Sequence, residues 1–374
     1  MEVEFDSSGT TEGLAKVITR FARQPAIRAA IVLGADDNAW SIDTLDPVIR
    51  DSAIPLLGGV FPRIAFDGKS HERGTLVVGL EHLPDTGVIR GLSDPDADFE
   101  SRIASVTDDW SPGQSESTYM IVLDGLASRI GDLVEGLFFT LGLEHNFIGG
   151  GAGSLSFEQS PCIITPQGLC EDAALIVRLS LSSSIGVTHG WQAISDTFTV
   201  TESEGNTVKT IEWEPAGDLY AREVERHSGV RPTHDAFFSI AKSYPLGIAR
   251  FGGELVVRDP LMMSNDGELI CVGEVPSGCR IRLLNGDTET LIAAAADARN
   301  EALEACRSSN VGGSILFDCI SRVLFLDNDL ERELRALGGN DRILGAFTLG
   351  EVANSGRGHL DFLNKSTVYA VLGP

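Results

Sequence analysis

Cationic side chains are scarce in this chain: Lys and Arg together number 29 against 54 Asp and Glu, for a formal net charge of −25. Lysine is confined to Lys16, Lys69, Lys209, Lys242 and Lys365. Such a surface repels phosphate backbones and anionic lipid, so neither nucleic acid nor a membrane is an expected partner. Long apolar runs are also missing, since no stretch approaches the ~18 residues of a membrane span. The opening MEVEFDSSGT has neither the cationic nor the apolar region of a secretory leader, and a cytoplasmic protein is expected. The six cysteines form no C-x-x-C pair, which argues against a zinc module or a disulfide scaffold. The seven histidines show no H-x-x-x-H or H-E-x-x-H spacing, so no pre-organised metal site is expected.

Apolar content is ample by contrast: 43% is enough to fill real cores, and at ~150 residues per domain the 374 residues suggest about two domains. Glycine is concentrated in FIGGGAGSLSF, residues 147–157. A P-loop would need G-K-[ST] after the last glycine, and Ser154-Leu155 stand there instead. The dinucleotide fingerprint G-x-G-x-x-G must open a helix, whereas Ser154 to Phe157 alternate polar and apolar like a new strand. A sharp strand-to-strand corner remains as the reading.

That corner has two siblings. LLGGVFPRIAF (56–66) and ILGAFTLGEVA (343–353) align with it without gaps: two apolar residues, a glycine, a small residue, then a second strand. Each is preceded by an apolar strand (AAIVLG, YMIVLDG, SILFDC) and a run of helical periodicity, and followed by another strand (TLVVGLE, ALIVRLSL, TVYAVL). The expected fold is α+β, with mixed or antiparallel sheets packed against helices and three weak strand-helix-strand-strand repeats. Between the second and third copies, a helix should begin near Pro215 and close at Gly229. A boundary between two domains, 1–230 and 231–374, is expected in the segment that follows.

The order of HGWQAISDTFTVTESEGNTVKTIEWEPAGDLY (189–220), YPLGI (244–248), VVRDPL (256–261), GEVPSGCRIRLL (273–284), ILFDCISR (315–322) and GAFTLGEV (345–352) resembles the FIST family, with its N-terminal and C-terminal domains in tandem. The resemblance covers nearly the whole chain from about residue 28. It implies a sensory protein that binds a small molecule such as an amino acid. With no transmitter in these residues, it would signal in trans to a partner such as a histidine kinase. Some members of the family bind haem, so haem is a candidate cofactor, with His189 beside Trp191 as the candidate ligand. The alternative for His189 is a strand-end ring hydrogen-bonded to backbone.

Candidate ligand-binding residues are Arg258, Asp259, Cys319, Arg322, Gly350 and Glu351. Arg258 would clamp a carboxylate bidentately, or would pair with Asp259 at a strand end. Cys319 and Arg322 follow an apolar strand, but no base adjoins the thiol in sequence. Glu351 would hold a ligand amine or cap backbone amides. No Ser-His-Asp or G-x-S-x-G arrangement is present, and no catalytic residue is assigned. The six are expected to meet in a pocket between the two domains.

Overall fold

The computed structural model describes residues 2–110, 117–142, 144–250, 255–306, 312–339, 342–354 and 359–373. The fold is α+β, and its plan is one unit used three times. The first unit runs β1 (Glu2–Asp6), α1 (Thr11–Ala22), β2 (Ala29–Ala35), α2 (Ile42–Arg50), β3 (Leu56–Phe61), the hairpin β4 (Arg63–Phe66) and β5 (Lys69–His71), and β6 (Thr75–Leu80). The second runs β7 (Asp85–Arg90), α3 (Phe99–Thr107), β8 (Thr118–Asp124), α4 (Ile130–Leu141), β9 (Asn146–Ala152), the hairpin β10 (Ile163–Thr165) and β11 (Gly168–Cys170), and β12 (Ala173–Leu179).

The third unit opens with β13 (Ser183–Thr188) and is then interrupted by a nine-stranded sheet. That insertion comprises β14 (Gln192–Ala193), β15 (Phe198–Glu204), β16 (Thr207–Ile211), β17 (Glu214–Pro215), α5 (Ala216–Ser228), α6 (Phe237–Ala241), β18 (Leu246–Ala249), β19 (Leu255–Arg258), β20 (Pro260–Met263), β21 (Leu269–Cys271) and β22 (Arg280–Asn285). As expected from Pro215 and Gly229, α5 starts just after the proline and ends on the glycine in left-handed conformation, φ 74°. Residue 230 lies inside this insertion. The third unit then resumes with α7 (Thr288–Ala305), β23 (Gly313–Cys319), α8 (Ile320–Leu326), α9 (Leu330–Gly338), β24 (Leu344–Thr348), the hairpin β25 (Glu351–Asn354) and β26 (Leu360–Leu363), and β27 (Thr367–Leu372).

In each unit two parallel strands are joined by a helical crossover, and the unit's last strand pairs antiparallel with the first of them. The hairpins, however, are exchanged. The three sheets read β1-β6-β2-β3-β10-β11, β7-β12-β8-β9-β25-β26 and β13-β27-β23-β24-β4-β5. Unit one thus lends its hairpin to the sheet of unit three, unit two to one, and unit three to two. Each hairpin covers an edge of a neighbouring sheet, so no unit is a closed structure by itself. Equivalent residues Ile31, Met120 and Ile315 sit together in the core that all three sheets share.

The glycine motif is therefore structural, but Gly58, Gly59, Gly149, Gly150, Gly151 and Gly345 lie within strands and not at the corners. Gly58, Gly149 and Gly345 occupy one register position, opposite Val32, Ile121 and Leu316 of the parallel neighbour. A Cβ at any of them would lie 2.0, 1.9 and 2.0 Å from the carbonyl oxygen of that same neighbour. Gly150 and Gly151 face the backbone of the third unit, where a Cβ would come within 2.6 Å of the Gly350 oxygen and 2.3 Å of the Leu349 oxygen. Gly151 also bonds to this backbone twice, accepting from the Leu349 N–H and donating its own N–H to the Gly350 oxygen, both 2.8 Å. What the loop holds is its sister repeat.

The strand expected over residues 154–157 is absent. The Ser156 amide donates to the Ser154 hydroxyl at 3.0 Å and the Phe157 amide to the Ser154 oxygen at 3.2 Å, which bends this stretch into a turn. The next strand begins only at Ile163.

Candidate functional site

A cleft of ≈ 1120 Å³ opens where the inserted sheet faces the repeats. Its floor comes from the carboxyl ends of β8 and β23 in two different units, at Gly125 and Cys319, and from the Leu349-Gly350 turn. Residues of α4, and of β19, β20 and the segment after β21, also line it. Ligands of open α/β sheets characteristically lie beyond the carboxyl ends of parallel strands, because the crossover loops there can diverge without disturbing the sheet. Exposed Phe139, Phe157, Phe238 and Leu324 also line this cleft.

Of the residues singled out in the sequence, Arg258, Asp259, Cys319 and Gly350 line the cleft, whereas Arg322, Glu351 and His189 do not. Arg258 does not pair with Asp259. Its Nε donates to the Glu274 oxygen at 2.9 Å, and its Nη1 donates to the oxygens of Val257 at 2.9 Å and Phe362 at 3.0 Å. Burial pulls its pKa down to about 10, so it remains charged at neutral pH. Those three carbonyls belong to β19, the segment after β21, and β26. Arg258 thus ties the inserted sheet to the hairpin of unit three, and a bidentate carboxylate clamp would have to share Nε or Nη1 with backbone, since Nη2 alone makes no such bond among the described residues.

Asp259 pairs with Lys365, Oδ2 to Nζ 3.1 Å. Lys365 is wholly buried; its ammonium also donates to the Lys242 oxygen at 2.8 Å and lies 4.8 Å from the centre of the Trp191 ring. Its backbone is left-handed, φ 55°, in the tight turn between β26 and β27. The preceding Asn364 is also buried and lines the cleft. Neither amide atom of Asn364 has a hydrogen-bond partner among the described residues, and nor does Asp259 Oδ1.

Cys319 is buried, and its Sγ accepts from the Ser321 hydroxyl at 3.1 Å. Desolvation and the Glu351 carboxylate push its pKa up to about 12, so at neutral pH it is a thiol and not a nucleophilic thiolate.

Arg322, fully buried, centres a second polar cluster behind the cleft floor. It pairs with Glu333 and, Nε to Oδ1 at 3.2 Å, with Asp318, and it donates to the oxygens of His189 at 2.8 Å and Leu291 at 3.0 Å. Burial lowers its pKa, but Glu333 and Asp318 outweigh that and hold it above the ordinary value. Asp318 itself is raised well above the carboxylate range, first by desolvation and then by Glu333. Glu351 is likewise buried: Thr348 Oγ1 donates to it at 2.8 Å and the Ser366 amide at 3.3 Å, and burial drives its pKa well up. Of these two donors the Ser366 group is a backbone amide, as in the capping alternative, and the Thr348 group is a hydroxyl.

Haem does not fit at His189. Its Nδ1 accepts from the Trp191 amide at 2.9 Å, the ring also bonds to the Leu255 backbone, and desolvation with the Arg322 charge lowers its pKa to about 4. The ring is thus engaged by backbone both at its own strand end and from β19.

Sequence reasoning missed Asn364, Lys365, Asp318 and Glu333. The available signal was Lys365: one of five lysines, set between two apolar runs in FLNKSTVYAVL.

Residues 29–214 match the model of the FIST N domain and residues 216–354 that of the FIST C domain, so this chain belongs to the FIST family, with both domains in tandem. FIST domains are associated with sensory signalling. No curated protein matches the chain.

Proposed function

We propose that this chain is a receptor for a small organic molecule, bound in the cleft, and that it signals in trans through a separate transmitter such as a histidine kinase. The observation that carries the reading is the placement of the cleft. A ligand there touches the repeats and the inserted sheet at once, so its binding energy is linked to how those parts sit against each other. The Cys319 thiol on the lining is held protonated and offers no thiolate nucleophile there.

Five acids (Asp132, Glu135, Asp259, Glu274, Asp361) face two arginines (Arg250, Arg258) along the lining, which disfavours a ligand of net negative charge. A zwitterionic amino acid remains compatible, with its ammonium toward the acids. The test is a thermal-shift screen of amino acids and other small polar metabolites against the purified chain, repeated with Val272→Trp, which narrows the cleft wall. Stabilisation by a metabolite that disappears in Val272→Trp supports the reading. A hit unaffected by that change places the site elsewhere.

A further inference from the structure

We propose that the part of the cleft lined by Asn364 and Asp259 recognises an uncharged amide group (a carboxamide, ureide or lactam), with Asn364 reading its N–H and C=O edge and Asp259 Oδ1 accepting a further N–H. This rests on the reading of the cleft as a ligand site.

The starting point is an unbalanced set of buried polar atoms. Asn364 is 1% and Asp259 3% exposed, both line the cleft, and three of their atoms, Asn364 Nδ2, Asn364 Oδ1 and Asp259 Oδ1, lack partners among the described residues. Buried donors and acceptors left unpaired are costly, and proteins keep few of them without a reason. Their positions are not slack. Asp259 is fixed by Lys365 through its other oxygen. Asn364 sits next to the left-handed Lys365, whose own oxygen is near Trp191 Nε1 at 3.3 Å and Arg322 Nη1 at 3.4 Å. Packing on both sides therefore pre-organises the unpaired atoms.

Complementarity then selects the ligand chemistry. Nδ2 offers two donors, while Asn364 Oδ1 and Asp259 Oδ1 offer acceptors. A carboxylate can satisfy only Nδ2, and it meets the acidic lining. An ammonium can satisfy only the two oxygens and leaves Nδ2 unpaired. An amide carries both functions side by side, matches the Asn364 edge with two antiparallel bonds, and brings no charge that must be desolvated. The half-exposed Phe139 and Phe157, also on the lining, suit an apolar remainder of such a molecule.

The experiment uses the full chain with three probes of one shape, phenylacetamide, phenylacetate and phenethylammonium, measured by calorimetry and thermal shift. The expected ranking places the amide about tenfold or more ahead of both charged probes, the discrimination that one mismatched buried hydrogen bond gives. Asn364→Asp, which turns the donor into an acceptor at equal size, should weaken the amide by a similar factor while circular dichroism stays unchanged. If that variant does not fold, Asn364→Ser serves in its place, and the ranking on the native chain decides by itself. Tighter binding of phenylacetate or phenethylammonium, amide binding indifferent to residue 364, or no binding by any of the three overturns the assignment. The cleft reading is judged separately: it survives if another metabolite binds and is lost in Val272→Trp, and it falls if no hit depends on the cleft wall.

Discussion

Placing alanine at Gly58, Gly149 and Gly345 in turn tests the threefold plan at its tightest point. At Gly58 and Gly149 φ is 148° and 146°, where an L side chain is strained by ~1–3 kcal/mol. At all three, the new methyl would sit about 2 Å from a main-chain oxygen of the parallel neighbour. That oxygen belongs to a strand held on both sides by backbone bonds, so relief requires moving a strand by more than an ångström, unlike a clash with a side-chain tip. Overpacking of this kind adds about 1–3 kcal/mol. The sum is ~2–6 kcal/mol for Gly58→Ala and Gly149→Ala, and ~1–3 kcal/mol for Gly345→Ala, where only the contact applies. Gly68→Ala is the control: its φ is 73°, with nothing within 4 Å of an added Cβ, and it should cost only ~1 kcal/mol. Urea denaturation followed by circular dichroism gives the four values. If Gly58→Ala or Gly149→Ala costs no more than Gly68→Ala, the close-approach argument is wrong, and with it the equivalence of the units.

Three further outcomes follow from the buried groups. Arg322→Met should cost ~3–5 kcal/mol in urea denaturation because Asp318 and Glu333 are left buried without a counter-charge; a loss under ~1 kcal/mol would mean the cluster is not structural. Glu351 has its folded pKa raised, so its contribution to stability is complete below the ordinary carboxylate value of 4.5 and declines as pH rises through the folded value. Glu351→Gln should therefore flatten the fall in Tm between pH 5 and pH 8, roughly the range above the carboxylate pKa, and an unchanged slope would assign it to other groups. For haem, titration of the chain with haemin should give spectra indistinguishable between the native protein and His189→Ala; a Soret band lost in the variant would restore His189 as a ligand.

The repeats were legible because they rest on local rules. A glycine opposite a neighbour's carbonyl must recur wherever the unit recurs, so LLGG, FIGG and ILGA advertise one backbone contact three times. The exchange of hairpins was not legible. Pairing of β10 with β3, or of β24 with β4, depends on how separate units meet, and alternation along a short strand is the same whichever sheet receives it. The turn at Ser154 was misread for a related reason: its alternation matched a strand, but the serine hydroxyl offered the backbone a local partner first.

For the site, sequence favoured residues by charge, and the fold sorts them by what their charge already contacts. Arg322 and Glu351 are adjacent in sequence to the cleft floor, yet each is wholly buried among partners of its own. Arg258 reaches the lining with three carbonyls in hand. An arginine in that state stabilises the wall, and it leaves a ligand only Nη2, one nitrogen short of the pair that a bidentate clamp uses. Asn364 reverses the case: it is uncharged, silent in any motif, and buried beside the one lysine that fixes Asp259. The amide reading proposed for the cleft accordingly rests on polar atoms that the fold has positioned but not paired, and these are identified by their surroundings in three dimensions, which no spacing along the chain encodes.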